Sequence, residues 1–423
     1  MQHSPARVRP RLYYGWILIV TLAVTTVVTY GGMYYSFGVL LKPLVDEFGW
    51  SRAAVSGAFS GTLIVSGLLG IPIGRLVDRF GARWLMSVGS ILAGAALIAL
   101  GFVTEIWQFY ALWGLAIGLA SALTFYNVSF TVLSNWFSRR RGTALGVLTL
   151  IGGLASPIFI PLIGWLVPAV GWRQTVIILG ILQIVITLPL HAWLVRRHPE
   201  DLGLHPDGDP APDPTAAQAA SALAESWTIR DAVRSPNFWI LTGAFFLEQL
   251  AAMVVLVHMV PFMIDKGAGR GFTPELAAAI GGLVGVASLP GRFVLSHLSD
   301  RIHRQGMLAG VLILEAVGLV ILIAAGEPLL LYAFAIVYGL PYGARSPLRA
   351  AVMGDFFGRA AFGTIWGLQS AATAVAAGFG PAIAGSLYDQ LNSYQVAFTL
   401  TAATLVLAAL TLLIPRRPKR LAG

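Results

Sequence analysis

Residues 74–83 read GRLVDRFGAR, a short charged stretch between two long apolar segments. Residues 53–74 before it and residues 84–103 after it carry no charged side chain. A helix of about 20 consecutive apolar residues spans the hydrocarbon core of a bilayer. The stretch therefore predicts two membrane helices joined by a tight turn on one face of the membrane.

The composition of the whole chain agrees with this prediction. Of the 423 residues, 57% are hydrophobic and 11% are charged, whereas about 25% of the residues of a soluble domain are charged. An ordinary soluble enzyme is therefore excluded, and we expect an all-α membrane protein. Long apolar runs predict twelve membrane helices, at residues 14–42, 53–74, 84–103, 107–135, 142–168, 174–196, 238–263, 275–298, 306–325, 328–354, 361–388 and 394–414.

Basic residues are concentrated on one face of the predicted bundle. Of the 28 Lys and Arg residues, 20 lie on the face that carries both termini, five lie on the other face, and three fall within spans. Cytoplasmic loops carry the excess of Lys and Arg, so both termini are predicted to be cytoplasmic. The net charge of +9 then reflects topology, and we expect the lipid bilayer, not a nucleic acid, as partner.

The chain contains an internal repeat of six spans. Asp78 and Arg79 after the second span match an Asp-Arg pair that begins at Asp300 after the eighth span. Gly146 in the fifth span likewise matches Gly367 in the eleventh. Two halves in the same orientation are typical of one large class of transporters, whose substrate site lies between the halves near the bilayer midplane.

The repeat divides the chain into two bundles and a linker. We predict an N-terminal six-helix bundle at residues 1–198 and a C-terminal six-helix bundle at residues 234–423. Residues 199–233 are polar and rich in Pro, Asp and Ala, which predicts a flexible cytoplasmic linker.

Several motifs resemble one transporter family. Residues 74–83 resemble the loop motif between the second and third spans of the major facilitator superfamily. YSFGV at 35–39, EFGWSR at 47–52, WFSRRRG at 136–142 and GPAIAGSLYD at 380–389 resemble its monocarboxylate-transporter branch and the bacterial relatives of that branch. The resemblance implies the major facilitator fold, with two six-helix halves that give alternating access to a small organic anion. We expect a monomer in the bacterial inner membrane, without cofactor or metal.

The loop motif also has a physical interpretation. A glycine at position 74 permits close approach of a second helix, as small residues do at membrane helix interfaces. The carboxylate of Asp78 can pair with a cation or a helix N-terminus in one state of the transport cycle. We therefore assign Gly74, Asp78, Arg79 and Asp300 to a conformational latch; the alternative is a solvated charged loop.

Charged residues within spans are concentrated in the C-terminal half. A charge at the centre of a span costs about 2.5–3.5 kcal/mol, so each needs a reason. At about 1.5 Å per residue, Glu248, Arg292 and Arg345 all lie roughly 12–15 Å from the cytoplasmic boundary. They form one predicted layer near the midplane. The half also carries Glu315, expected to be structural, and Arg349, expected to extend to the cytoplasmic surface.

Arg292 is the predicted substrate anchor. It stands where the monocarboxylate family has its span-eight arginine, and the resemblance implies that it binds a carboxylate. A guanidinium keeps its charge when desolvated and presents two parallel donors to a carboxylate. The alternative is an arginine permanently paired with an acid. Animal members have an aspartate where Ser288 stands and a lysine where Tyr35 stands, so their proton-linked ion pair is not transferable.

The proton carrier is therefore sought elsewhere. Glu248 is the first candidate, because a poorly solvated carboxyl takes up a proton more readily than one in water. His258 is the second, since histidine titrates near neutral pH; its alternative role is a hydrogen bond to a neighbouring helix. Arg345 has two possible roles, pairing with Glu248 or joining Arg292 around an anion.

Neutral polar residues complete the predicted binding site. The candidates are Tyr35 in the first span, Tyr126 and Asn127 in the fourth, and Gln369 in the eleventh; Tyr34 is a further wall residue. Each has the alternative role of a polar residue in helix packing.

The leading hypothesis is proton-coupled symport of a small monocarboxylate such as lactate or pyruvate. A close rival is a carboxylate or dicarboxylate exchanger, similar to the oxalate–formate antiporters, with Arg345 as second cation where that family has a span-eleven lysine. A proton-driven drug efflux pump is a more distant alternative. We do not expect an enzyme, because the sequence has no cysteine and no nucleophile–base or phosphate-loop motif.

Overall fold

The computed structural model describes residues 13–137, 140–208, 229–265, 271–298, 303–357 and 362–415. Within these ranges the chain forms helices and turns, and no strand. Twelve long helices follow one another: α1 (Tyr14–Phe48), α2 (Arg52–Phe80), α3 (Ala82–Leu100), α4 (Ile106–Trp136), α5 (Thr143–Val170), α6 (Trp172–Leu194), α7 (Pro236–Ile264), α8 (Pro274–Leu298), α9 (Arg304–Ala324), α10 (Pro328–Phe357), α11 (Phe362–Leu391) and α12 (Gln395–Leu412). The predicted all-α fold is confirmed.

Helix α10 differs from the other spans in its charge. Over the described residues, eleven helices are long and apolar enough to cross a membrane. The exception, α10, has 30 residues, but it carries Arg345, Arg349 and Asp355, which lower its hydropathy. Both arginines are only 8% exposed. They therefore point into the bundle, as charged residues within a membrane span must.

Four spans of the N-terminal half are irregular near their midpoints, and one of them is α6, which contains a π-turn at Gln183–Thr187. Helix α1 contains a π-turn at Gly31–Tyr35, α4 is interrupted at Phe125, and α5 is interrupted after Gly152. Irregular backbone at membrane depth is tolerated where it is buried in protein or lines a cavity. The breaks therefore mark the level of the bundle at which a binding site is expected.

Helix ends define the two faces of the bundle. The start of α1 meets the end of α6, where the Tyr14 hydroxyl donates a hydrogen bond to the Leu194 carbonyl at 2.8 Å. The start of α9 meets the end of α12, where the Gln305 amide donates to the Pro415 carbonyl at 2.8 Å. We call the face at which α1 begins and α12 ends the termini face, and the other the opposite face.

The first part of the predicted linker is folded against the N-terminal half. Asp207 is 8% exposed, and its Oδ1 accepts a hydrogen bond from the backbone N–H of Arg140 at 3.0 Å. The next residue, Gly208, lies against the ring of Tyr13. The prediction of a flexible linker is therefore wrong for residues 199–208, because a buried carboxylate fixes that segment. Residues 209–228 lie outside the described ranges.

A tight turn joins α2 and α3 within the stretch 74–83, as predicted, and it consists of the single residue Gly81 between the two helices. Gly81 has a φ of +81°, which favours glycine, and α3 begins at the next residue. Arg79 is exposed, and its guanidinium lies 5.1 Å from the ring centroid of the following phenylalanine. The side chain of Asp78 and the whole of Asp300 lie outside the part of the chain that the structure describes.

The close helix approach predicted at Gly74 is not made in this conformation. No atom of the described residues lies within 4 Å of the position that a Cβ at Gly74 would occupy. The same holds for Gly146 on α5 and Gly367 on α11, the pair related by the repeat. The two halves are therefore not packed against one another at these three positions, which lie towards the termini face.

At the opposite face, a carboxylate of one half caps a helix of the other. Asp389, near the end of α11, accepts hydrogen bonds from the backbone N–H groups of Arg52 at 2.9 Å and Ala53 at 2.8 Å, which begin α2. N–H groups at a helix start have no partner in their own helix, and negative charge is stabilised there. The Arg52 guanidinium also lies 3.6 Å from the Tyr388 ring centroid. The bundle is thus closed at this face.

We predict that Asp389→Ala opens this face. The chain has no cysteine, so a single Val39→Cys substitution reports the accessibility of the interior to a maleimide that does not cross membranes. Hydrogen bonds to a charged group contribute about 1.5–3 kcal/mol, so labelling from the opposite face should rise by at least about tenfold.

The matched control is Asp46→Ala, because among the described residues the Asp46 carboxylate forms an ion pair only with Lys42 of its own helix, at 2.5 Å. This variant should label like the parent. Equal labelling of the Asp389 and Asp46 variants would show that the hydrogen bonds from the start of α2 to Asp389 do not hold the face closed.

Candidate functional site

Arg292 of α8 lies at the interface between the two halves. Its Nη1 donates a hydrogen bond to the carbonyl oxygen of Thr149 on α5 at 2.6 Å. Its Nε is buried and has no hydrogen-bond partner. Among the described residues, no carboxylate lies within ion-pair distance of this guanidinium. Arg292 is therefore a half-buried cation whose charge is not balanced by the described residues around it.

Two consecutive glycines on α5 make room for this contact. A Cβ at Gly153 would lie 3.1 Å from Arg292 Cζ, and a Cβ at Gly152 would collide with the Tyr126 hydroxyl. Any larger residue at these positions would displace one of the two side chains. The Gly-Gly pair was the available signal in the sequence for this part of the site, and neither it nor Thr149 was predicted.

Aromatic residues of α1 and α4 form a wall next to Arg292. Tyr35 and Tyr126, both predicted, interact electrostatically with the guanidinium. The Tyr126 hydroxyl lies at Gly152, next to the glycine that the guanidinium contacts. The ring of Tyr30 stacks on Phe125 with centroids 4.1 Å apart and lies 5.0 Å from the ring of Tyr126. Tyr34 stands edge-on to its neighbour, Tyr35, at 5.5 Å. The π-turn of α1 and the break of α4 bring these rings together.

The remaining charges of the C-terminal half form one buried cluster. Arg345 Nε lies 2.6 Å from Glu248 Oε1, and Arg345 Nη1 lies 3.3 Å from Glu315 Oε2. Arg349 Nη1 lies 4.0 Å from Glu248 Oε2. This ion cluster, defined by these four residues, joins α7, α9 and α10. With all four ionised its formal charge is zero.

The ion cluster corrects one prediction and resolves another. Arg349 does not extend to the surface, because its guanidinium lies 4.7 Å from the ring centroid of Phe245 and donates a hydrogen bond to Thr373 at 3.2 Å. Of the two roles considered for Arg345, the structure shows the pairing with Glu248. Glu315, expected to be structural, is the second carboxylate on Arg345.

His258 lies at the contact between the halves near the opposite face, where its Nε2 is 3.3 Å from the hydroxyl oxygen of Ser56 on α2. Its Nε2 lies 2.8 Å from the Pro381 carbonyl oxygen, and its Nδ1 lies 3.0 Å from the Tyr394 hydroxyl. A carbonyl only accepts hydrogen bonds, so we assign a proton to Nε2. Both ring nitrogens are thus partnered by neighbouring helices, which is the alternative considered for this residue.

The two predicted amides do not contact Arg292. Gln369 is fully buried and lies 3.2 Å from the sulfur of Met353 on α10. Asn127 is exposed, and its amide nitrogen lies 3.9 Å from where a Cβ at Gly70 would be. The structure therefore groups Arg292 with the tyrosines and separates it from these amides.

The fold and these buried charges define the class of protein. A bundle of apolar helices that holds a cation between its two halves has the architecture of a membrane transporter. The family model of the Major Facilitator Superfamily matches residues 22–311 and 267–423. The chain belongs to the major facilitator superfamily, as its loop motif predicted.

Curated relatives of the chain are also transporters. It is 28% identical over 398 residues to monocarboxylate transporter 13 of Bos taurus, a match that covers 93% of this chain and 87% of that protein. It is 27% identical over 414 residues to the oxalate:formate antiporter of Oxalobacter formigenes, which covers 95% of this chain and 92% of that protein.

Solved structures share the fold. A bacterial homologue of the human lysosomal transporter Spinster, in an inward-facing and unoccupied conformation, superposes with a TM-score of 0.67 over 96% of each chain. The sequence identity is 16%, so this similarity shows the fold alone.

Proposed function

We propose that this transporter moves a small monocarboxylate of the lactate or pyruvate type together with a proton. The observation that carries the proposal is the unbalanced guanidinium of Arg292, with its unpartnered Nε, at the interface of the two halves. A carboxylate that accepts two parallel hydrogen bonds would satisfy both its charge and its free donors. The relatives named above act on carboxylates, which supports this class of substrate.

The asymmetry of the contacts between the halves supports transport by alternating access. The proposed halves are residues 1–198 and 234–423. At the opposite face Asp389 of one half binds the start of α2 in the other. Towards the termini face, no described atom packs against Gly74, Gly146 or Gly367. We propose that the two halves rock about the level of Arg292. When the termini face closes, Gly74, Gly146 and Gly367 then come into contact with helices of the other half. The excess of Lys and Arg supports a cytoplasmic position for that face, and we propose that the membrane is a bacterial inner membrane.

A monocarboxylate is favoured over a dicarboxylate by charge. A second carboxylate requires a second available cation, and Arg345 was the candidate. Two carboxylates already engage Arg345, at 2.6 Å and 3.3 Å. Its displacement would leave a buried charge without its partner, which costs about 3–5 kcal/mol. A monocarboxylate neutralises the charge of Arg292 without displacing the carboxylates from Arg345.

Glu248 is the proposed proton site. Its Oε2 is buried and has no hydrogen-bond partner, so a proton can be added without breaking a hydrogen bond at that atom. The formal charge of Arg292 and the ion cluster is +1, and protonation of Glu248 raises it to +2. Anion binding then becomes stronger, and by linkage bound anion favours the proton to the same extent.

Replacement of Arg292 tests the anchor. Arg292→Ala should abolish uptake, and Arg292→Lys should retain less than about a tenth of it, because lysine cannot form a planar bidentate contact. Uptake of labelled lactate is measured in proteoliposomes at equal protein content. The control is Arg234→Lys at an exposed position, which should match the parent; parental uptake by the Arg292→Lys variant would exclude a geometric anchor.

Replacement of Glu248 tests the coupling. Glu248→Gln mimics the protonated carboxyl, so it should keep counterflow exchange while losing accumulation driven by an inward proton gradient. Glu327→Gln, at an exposed loop position, should keep both. If the Glu248 variant still concentrates substrate when a pH gradient is imposed, the proton is carried by another group, and Glu315 and His258 are tested next.

A further inference from the structure

Glu315 of α9 is a charged residue to which the proposed mechanism gives no role. It is the one ionisable side chain of α9 after Arg304, and it is fully buried. An ionised carboxylate within a membrane span is unfavourable unless it has a partner. Among the described residues its ion-pair partner is Arg345, whose Nη1 lies 3.3 Å from Glu315 Oε2. The function of Glu315 is therefore to be sought in its effect on Arg345.

Arg345 has two carboxylate partners, and the proposed proton transfer neutralises one of them. With Glu248 ionised, the shorter contact of Arg345 is to Glu248, at 2.6 Å. A protonated carboxyl carries no charge to balance a guanidinium. When Glu248 is protonated, Glu315 is therefore the carboxylate of the ion cluster that still balances Arg345.

Arg349, the other cation of the ion cluster, is held by additional groups. Its guanidinium lies 4.7 Å from the ring centroid of Phe245 and 5.1 Å from that of Trp366, and it donates a hydrogen bond to Thr373. None of these contacts depends on the charge of a carboxylate. Arg345 is therefore the cation whose position the two carboxylates determine.

Helices α8 and α10 are in direct contact, which brings Arg345 close to Arg292. A Cβ at Gly291 would collide with the carbonyl oxygen of Leu340. Arg292 is the residue after Gly291, and Arg345 is five residues after Leu340. Both helices end at the termini face, so at about 1.5 Å per residue the two arginines differ by no more than about 6 Å in depth.

Tyrosines connect the surroundings of the two guanidiniums. The ring centroid of Tyr342 lies 4.7 Å from Arg345 Cζ. Tyr342 and Tyr35 line the same cavity between the halves, and Tyr35 interacts electrostatically with Arg292. Without a carboxylate partner, Arg345 would therefore be a second unbalanced cation beside the tyrosines that adjoin Arg292.

We propose that Glu315 determines the selectivity for monocarboxylates, because it retains Arg345 in the ion cluster when Glu248 is protonated. Glu315 is a positioning residue: it acts on the substrate through Arg345 and does not touch it. This inference rests on the proposed function, since it presumes a carboxylate at Arg292 and a proton on Glu248. Without Glu315, a dicarboxylate would bind both Arg292 and Arg345.

Competition between lactate and dicarboxylates measures this selectivity. Counterflow of labelled lactate in proteoliposomes is inhibited with unlabelled lactate, malonate or succinate near neutral pH. In the parent, lactate should inhibit more strongly than either dicarboxylate. In Glu315→Gln, the better dicarboxylate should gain at least about tenfold over the parent, the smallest contribution expected of a hydrogen bond to a charged group. The single substitution suffices, because a bound anion favours the proton on Glu248.

The other carboxylate on Arg345 gives the matched comparison. Glu248→Gln removes the nearer carboxylate, yet it should keep the selectivity of the parent, because Glu315 still holds Arg345. Adding Arg345→Gln to Glu315→Gln should remove the gain, because the second cation is then absent. Glu275→Gln, at an exposed position at the start of α8, should match the parent. An equal gain in the Glu248 and Glu315 variants would contradict the proposal.

The outcomes separate this inference from the proposed function. A parent without lactate counterflow would overturn the proposed function itself. Lactate counterflow with unchanged exclusion of both dicarboxylates in Glu315→Gln would leave that function standing and overturn the role of Glu315.

A second variant decides if Glu315→Gln shows no counterflow. Glu315→Gln/Arg349→Gln removes one charge of each sign, so its ion cluster stays neutral with Glu248 ionised. Unchanged exclusion of dicarboxylates in this variant overturns the role of Glu315. A renewed loss of counterflow overturns it as well, because Glu315 would then be required for transport as such.

Discussion

The central constraint on this structure is the guanidinium of Arg292, which is held at the middle of the bundle without an acidic partner among the described residues. A charge at that depth is energetically unfavourable in a membrane unless it is paired. Two other arginines of the same half are paired with carboxylates. Arg345 and Arg349 have two carboxylates beside them, and that cluster is neutral. Arg292 has one backbone carbonyl. Because the ion cluster is neutral by itself, we assign it a structural role. Because the charge of Arg292 is not balanced, we assign Arg292 to the binding of an anionic ligand.

The carbonyl that Arg292 contacts belongs to the other half of the bundle. Thr149 lies just before the break in α5, and its carbonyl also accepts a hydrogen bond from the N–H of Gly153 at 3.0 Å. An anion that attracts the guanidinium would therefore change a contact between α5 and α8. In this account, substrate binding and the relative position of the halves are linked through one side chain, which is what a carrier requires. While the substrate binds, the hydrogen bonds between Asp389 and the start of α2 keep the opposite face closed.

Depth within the membrane could be predicted from the sequence, but the direction of side chains could not. Counting residues placed Glu248, Arg292 and Arg345 in one layer, yet a helix turns about 100° per residue, so depth does not tell which charges meet. For that reason the sequence left the role of Arg345 open and assigned Arg349 wrongly to the surface. Family membership and the all-α fold were predictable because long apolar runs and the loop motif are local properties.

Other differences have equally specific causes. The linker composition predicted flexibility, but one buried carboxylate, Asp207, fixes residues 199–208 against the N-terminal half. In the proposed transport cycle, the predicted contact at Gly74 forms only when the termini face closes, and a sequence does not specify that state. The Gly152–Gly153 pair could have been recognised as a place of close approach, but only the structure identifies the side chains of Tyr126 and Arg292 as those that approach it.

The most direct test is a structure determined with a small brominated monocarboxylate bound, since the bromine locates the bound acid by anomalous scattering. The account predicts that both carboxylate oxygens lie about 2.7–2.9 Å from nitrogens of the Arg292 guanidinium. A carboxylate bound to Arg345 with Glu248 displaced, or bound elsewhere while Arg292 still contacts only Thr149, would contradict it.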